Sequence, residues 1–123
     1  MNFTGMNVLL VDDNKANRLM VRRTLLQTGV SDLRVEEAEN GSDALAKLAN
    51  LEPDIIISDW SMPEMNGVEL LRELRARGSV VKFGFITPEA ASEHMRQRAF
   101  EAGAQFLIAR PFCVQRFRDV LRG

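Results

Sequence analysis

The run Ile55-Ile56-Ile57 constrains the fold of this chain more than any other feature. Three β-branched residues in succession, with no polar position between them, suit a short strand buried on both faces. Ser58, Asp59, Trp60, Ser61, Met62 and Pro63 follow, with Gly67 just beyond. Pro63 and Gly67 mark irregular backbone. Asp59 is therefore expected at the carboxyl end of the strand, facing a loop-lined crevice, where open parallel sheets carry their chemistry. A carboxylate there can serve as nucleophile, metal ligand or both. Taken alone, an Asp at such a place is more often a turn or helix cap.

The same alternation runs through the whole chain. Residues 8–11 form a continuous apolar run that ends in Asp12-Asp13-Asn14. A helix is expected from there to about Gln27, with Gly29 past its end. Residues 33–38 make a more polar strand, as befits an edge. Ser42 is expected to cap a helix carrying Ala44, Leu45, Leu48 and Ala49. Further helices are expected over 68–77, 89–102 and 112–121, and further strands over 80–86 and 106–109. Five βα units without a repeat or linker predict one α/β domain over residues 1–123, a doubly wound five-stranded parallel sheet with helices on both faces.

Composition narrows the function. Charged residues make up 27% of the 123 and the net charge is −1, which points neither to nucleic acid nor to a polybasic membrane contact. Cys113 is the single cysteine, so neither an intrachain disulfide nor a cysteine zinc cluster is available, as suits a reducing compartment. No apolar run reaches membrane-spanning length, and residues 1–7 lack a signal-peptide core. A cytoplasmic location is expected.

A parallel sheet brings the carboxyl ends of its strands together. Asp12 and Asp13 end the first strand, Asp59 the third, Thr87 the fourth and Arg110-Pro111 the fifth. Clustered carboxylates repel and raise one another's pKa unless a cation joins them. With oxygen ligands alone and no Cys or His among them, Mg²⁺ suits better than zinc. A hydroxyl from Thr87 and a guanidinium from Arg110 complete a pocket for a phosphoryl group.

These motifs, with residues 8–13, 59–67, Thr87, Gly103-Ala104 and Arg110-Pro111-Phe112, resemble the receiver domains of two-component response regulators over essentially the whole chain. The resemblance implies a flavodoxin-like strand order 2-1-3-4-5. It implies that Asp59 accepts a phosphoryl group from the phosphohistidine of a histidine kinase or histidine phosphotransfer domain. It also implies that Asp13, Asp59 and the backbone carbonyl of Ser61 hold Mg²⁺, with Asp12 reaching it directly or through water. The bond between Arg110 and Pro111 is expected to be cis, as the family's Lys-Pro bond is.

Three positions depart from the family. Arg110 stands where the family has Lys, keeping the charge but replacing a compact ammonium by a planar fork. Its readiness for bidentate bonds leads to the expectation that it holds Asp59 at rest. Leu107 occupies the place of the switch aromatic, and the adjacent Phe106 is expected on the opposite face of the sheet. Pro88 follows Thr87 where a small residue is usual, and stiffens a loop that phosphorylation would move.

Smaller expectations concern single side chains. Trp60 is expected to be exposed beside the site, Cys113 packed near the start of the last helix, and His94 at the surface. The arginines of the last two helices read as a solvated face, with a docking surface for an acidic partner as the alternative. A downstream protein target is expected, through the last two helices and the fifth strand. Two functions are therefore weighed, a phosphorylation-dependent switch and a degenerate receiver that binds its partner whatever its phosphorylation state. The chain is no conventional enzyme in either case, at most phosphorylating and dephosphorylating itself. A hydrolase of the Asp-nucleophile phosphatase type would need Asp-x-Asp after the first strand, where this chain has Asp12-Asp13-Asn14. Both a chain that acts alone and one that is part of a larger regulator remain open.

Overall fold

The computed structural model describes residues 5–62, 65–88 and 91–122. Its strands are β1 (Asn7–Val11), β2 (Arg34–Ala38), β3 (Ile55–Asp59), β4 (Lys82–Thr87) and β5 (Phe106–Ala109). They alternate with α1 (Lys15–Leu26), α2 (Gly41–Leu48), α3 (Gly67–Ala76), α4 (Glu93–Ala102) and α5 (Val114–Arg122). All strands pair in parallel in the order β2-β1-β3-β4-β5. That is the doubly wound order the resemblance implied.

Strand periodicity divides the core in two, because successive side chains point to opposite faces. Leu9, Val11, Ile56, Phe83, Phe85 and Leu107 join Val68, Leu71 and Leu74 of α3 on one face. Val8, Leu10, Ile55, Ile57, Ile86, Phe106 and Ile108 join Val21 and Leu25 of α1 and Phe117, Val120 and Leu121 of α5 on the other. Each such aliphatic or aromatic side chain contributes about 1.5–3 kcal/mol when taken from water. The isoleucine run is buried throughout because β3 lies in the middle of the sheet. Leu107 and Phe106 fall in opposite clusters, as alternation requires.

Several boundaries differ from expectation. The cap of α2 is Asn40, whose side chain accepts the Asp43 amide at 2.7 Å, and Ser42 lies within the helix. An Asx oxygen three residues ahead of the amide reaches it directly, so the helix starts two residues earlier than a Ser42 cap would allow. Helix α4 begins after Ser92, which accepts the Met95 amide at 3.1 Å, rather than at Glu89, which lies outside the described residues. Pro88 therefore belongs to a bend and not to a first helical turn. Helix α5 starts at Val114, so Cys113 precedes it and is exposed, not packed. His94 is exposed as expected. No helix among the described residues is long and apolar enough to cross a membrane.

Candidate functional site at the carboxyl ends of β1, β3, β4 and β5

Asp59 is the last residue of β3 and is half-buried. Helix capping does not account for it, since α1, α2, α3 and α4 are capped by Asn14, Asn40, Asn66 and Ser92. Asn66 completes a capping box with Glu69, and that box anchors the loop returning from Asp59. Gly67 lets the loop close. A Cβ there would come within 2.6 Å of both the Asp59 carbonyl oxygen and the Phe85 ring. Pro63, expected to mark irregular backbone here, lies outside the described residues.

Asp12 follows β1 and is only 5% exposed, whereas Asp13 beside it is exposed. The Asn14 amide donates to Asp12 Oδ1 at 2.8 Å, closing a turn into α1. Asp12, Asp13 and Asp59 each offer a carboxylate oxygen within 4.8 Å of the others. Burial drives the Asp59 pKa up to about 6, helped by the Asp12 charge and opposed by Arg110. Burial also raises Asp12, against the pull of the Asn14 amide. Two carboxylates pushed upward beside a third form a site short of positive charge. An all-oxygen donor set of this spacing fits a hard divalent cation.

Thr87 ends β4 and is fully buried. Its carbonyl accepts the Arg110 amide at 3.1 Å, which ties the ends of β4 and β5 together. The Arg110–Pro111 bond is cis, as expected. The Arg110 guanidinium is not on Asp59. Its Nη2 lies 3.8 Å from Asp12 Oδ2, and its buried Nε has no hydrogen-bond partner. Asp12 and Asp59 stand at the ends of the adjacent strands β1 and β3, so a guanidinium reaching across the strand ends can meet either carboxylate, and here it meets Asp12. Ser61 is exposed two residues after β3.

Trp60 is half-buried rather than exposed. Its ring meets Phe85 edge-on at 5.0 Å, and the Arg98 guanidinium of α4 lies 5.9 Å from its centre. Its amide donates to the Ile86 carbonyl at 3.1 Å. The indole thus links the loop after Asp59 to β4 and α4.

Arg18 escaped sequence reasoning. From the first turns of α1 its Nη1 donates to the Asp12 carbonyl at 2.6 Å, while its Nε pairs with Glu37 of β2 at 2.8 Å. With Asp12 and Asp59 it lines a small cleft of about 10 Å³, near the least that holds one water. No local signal reveals this role, because Glu37 is 19 residues away and meets Arg18 only once β1 and β2 pair. A larger groove of about 390 Å³ lies at the opposite ends of the strands, lined by Leu45, Leu48, Pro53, Ile56, Leu74 and Val81 among others, and none of the three aspartates borders it.

Known proteins resemble this chain in sequence and fold. Residues 8–122 match the response regulator receiver domain family. The chain is 37% identical over 119 residues to chemotaxis protein CheY1 of Helicobacter pylori strain J99, covering 94% of each. It is 36% identical over 120 residues to response regulator MprA of a Mycobacterium species, covering 94% of this chain and 50% of that protein. Among solved structures, chemotaxis protein CheY4 of Vibrio cholerae superposes with a TM-score of 0.85 at 32% identity, covering 97% of this chain and 98% of that one. FixJ-N superposes with a TM-score of 0.85 at 26% identity, covering 98% and 93%.

Proposed function

This chain belongs to the response regulator receiver domain family, and on that premise we propose that it is a phosphorylation-dependent switch of a two-component system. Asp59 is the phosphoacceptor, and the donor is a phosphohistidine on a histidine kinase or histidine phosphotransfer domain. The observation that carries this reading is the meeting of Asp12, Asp13 and Asp59 within 4.8 Å, with the Arg110 guanidinium 3.8 Å from the Asp12 carboxylate.

An Asp59 oxygen attacks the phosphorus, the phosphorus–nitrogen bond breaks, and its electron pair stays on the departing imidazole. Attack needs the ionised carboxylate, and a pKa of about 6 leaves most of Asp59 ionised at neutral pH. Asp13, Asp59 and the Ser61 carbonyl, with Asp12 direct or through water, would hold Mg²⁺, which would supply charge neutralisation for the transferred group. Arg110 and Thr87 take phosphoryl oxygens on the other side, and the unpartnered Arg110 Nε supports that role. Self-dephosphorylation is attack of water on the same phosphorus with Asp59 leaving as carboxylate. The protein is cytoplasmic, touches neither nucleic acid nor membrane through this domain, and passes its state to a protein target through α4, β5 and α5.

Incubation with acetyl phosphate and Mg²⁺, read by intact mass, tests the reading. One added phosphoryl group is expected, and none without Mg²⁺. A second reading, a degenerate receiver that binds its target irrespective of phosphorylation, is favoured by one observation: Leu107, in the place of the family's switch aromatic, is already buried in the core. Absence of any added phosphoryl mass would select it.

A further inference from the structure

We infer that Arg110 rivals the divalent cation for one oxygen, Asp12 Oδ2, and thereby sets the metal concentration at which the site is loaded. The inference rests on the metal-dependent reading above and concerns a residue by which this chain departs from its family.

The two oxygens of Asp12 have separate partners. Oδ1 accepts the Asn14 amide at 2.8 Å in the turn that opens α1. Oδ2 faces Arg110 Nη2 at 3.8 Å. The residue is held from behind as well, since Arg18 Nη1 donates to its carbonyl at 2.6 Å. Asp12 therefore cannot rotate without giving up the Asn14 bond, and Oδ2 is its freer oxygen. A cation that binds Oδ2 meets the guanidinium there.

Arg110 is tethered but not locked. Its amide is bonded to Thr87, yet its contact with Asp12 is longer than a hydrogen bond and its Nε is buried without a partner. The guanidinium therefore rests on Asp12 by charge alone, with a donor still unmet. An oxyanion arriving at the site would meet that donor and draw the guanidinium away. Asp12 is nearly fully buried, so its pairing with Arg110 is screened far less than a surface contact. Rivalry for a single oxygen lowers the affinity of each cation by the same factor.

Mg²⁺ titrations of the full chain by isothermal calorimetry test this. Arg110→Met removes the charge and keeps the aliphatic bulk, and it is expected to lower the Mg²⁺ Kd by about tenfold. Arg110→Gln is a second neutral variant with the same expected sign, and it decides the matter if Arg110→Met does not fold. In an Asp12→Asn background the gain is expected to shrink below about twofold, because the contested charge is gone. A Kd unchanged by Arg110→Met and Arg110→Gln overturns the inference and leaves the proposed function standing. A gain of full size in the Asp12→Asn background also overturns it, since Arg110 would then act through another group. Failure of wild type and variants alike to bind Mg²⁺ overturns the metal-dependent function as well.

Discussion

The Phe106 ring occupies the space where a side chain on Gly84 would stand. The two are register partners across β4 and β5, and a Cβ at position 84 would overlap the ring. This explains a glycine in the middle of a buried strand, and it fixes Phe106 on the α1–α5 face, away from the cluster that holds Leu107. Gly84→Ala is expected to destabilise the fold by about 1–3 kcal/mol. Adding Phe106→Leu should recover part of the loss, as urea unfolding of the single and double variants would show.

Asp59 makes the metal-free fold sensitive to pH. Its pKa is raised on folding to about 6, so the folded chain holds that proton more tightly than the unfolded one. The stability linked to it is full below about pH 4 and is lost as pH rises through about 6. Asp59→Asn is therefore expected to be more stable than wild type at pH 7 by about 1–2 kcal/mol, with the gap closing towards pH 4. Denaturant unfolding in chelator across that range measures it, and addition of Mg²⁺ should narrow the gap at pH 7.

Much of the fold was legible because its signals are local. Continuous apolar runs marked β1, β3 and β5, and the strand ends followed from them. The gathering of Asp12, Asp13 and Asp59 came from topology, since any parallel sheet of this kind brings those ends together. What escaped depends on distant partners or on competing caps. Asn40 and Ser42 are both good N-caps, and only the helix register chooses Asn40. The start of α4 at Ser92 hides behind a Pro88-Glu89 pair that reads as a helix opening. Arg18 meets Asp12 and Glu37 only in the assembled sheet. Arg110 was expected on Asp59, and its position on Asp12 depends on how the ends of β1, β3 and β5 meet, which no local pattern carries.

Trp60 is the single tryptophan and stands next to Asp59. Its half-buried ring between Phe85 and Arg98 should report charge changes at the site. Mg²⁺ is expected to change its fluorescence in wild type. The response should be lost or much weakened in Asp13→Ala; equal responses in the two proteins would detach Trp60 from the metal.

Arginine at position 110 should slow phosphorylation relative to lysine. A guanidinium resting on Asp12 must leave before it can take a phosphoryl oxygen. Arg110→Lys is expected to raise the rate with acetyl phosphate by roughly tenfold, about 1.4 kcal/mol in barrier. Arg110→Ala should lower it, having no cation for the phosphoryl oxygens. Rates at matched Mg²⁺ concentration decide, and identical rates for all three proteins would remove Arg110 from the chemistry.

The most direct measurement is to locate the phosphoryl group. After treatment with acetyl phosphate and Mg²⁺, borohydride reduces an aspartyl phosphate to homoserine, and peptide mass mapping then identifies the residue that carried it. Homoserine at position 59, and no conversion in Asp59→Asn, is the expected result. Conversion at Asp12 or Asp13 in place of Asp59, or at no position in the wild-type chain, would contradict the assignment of Asp59 as phosphoacceptor.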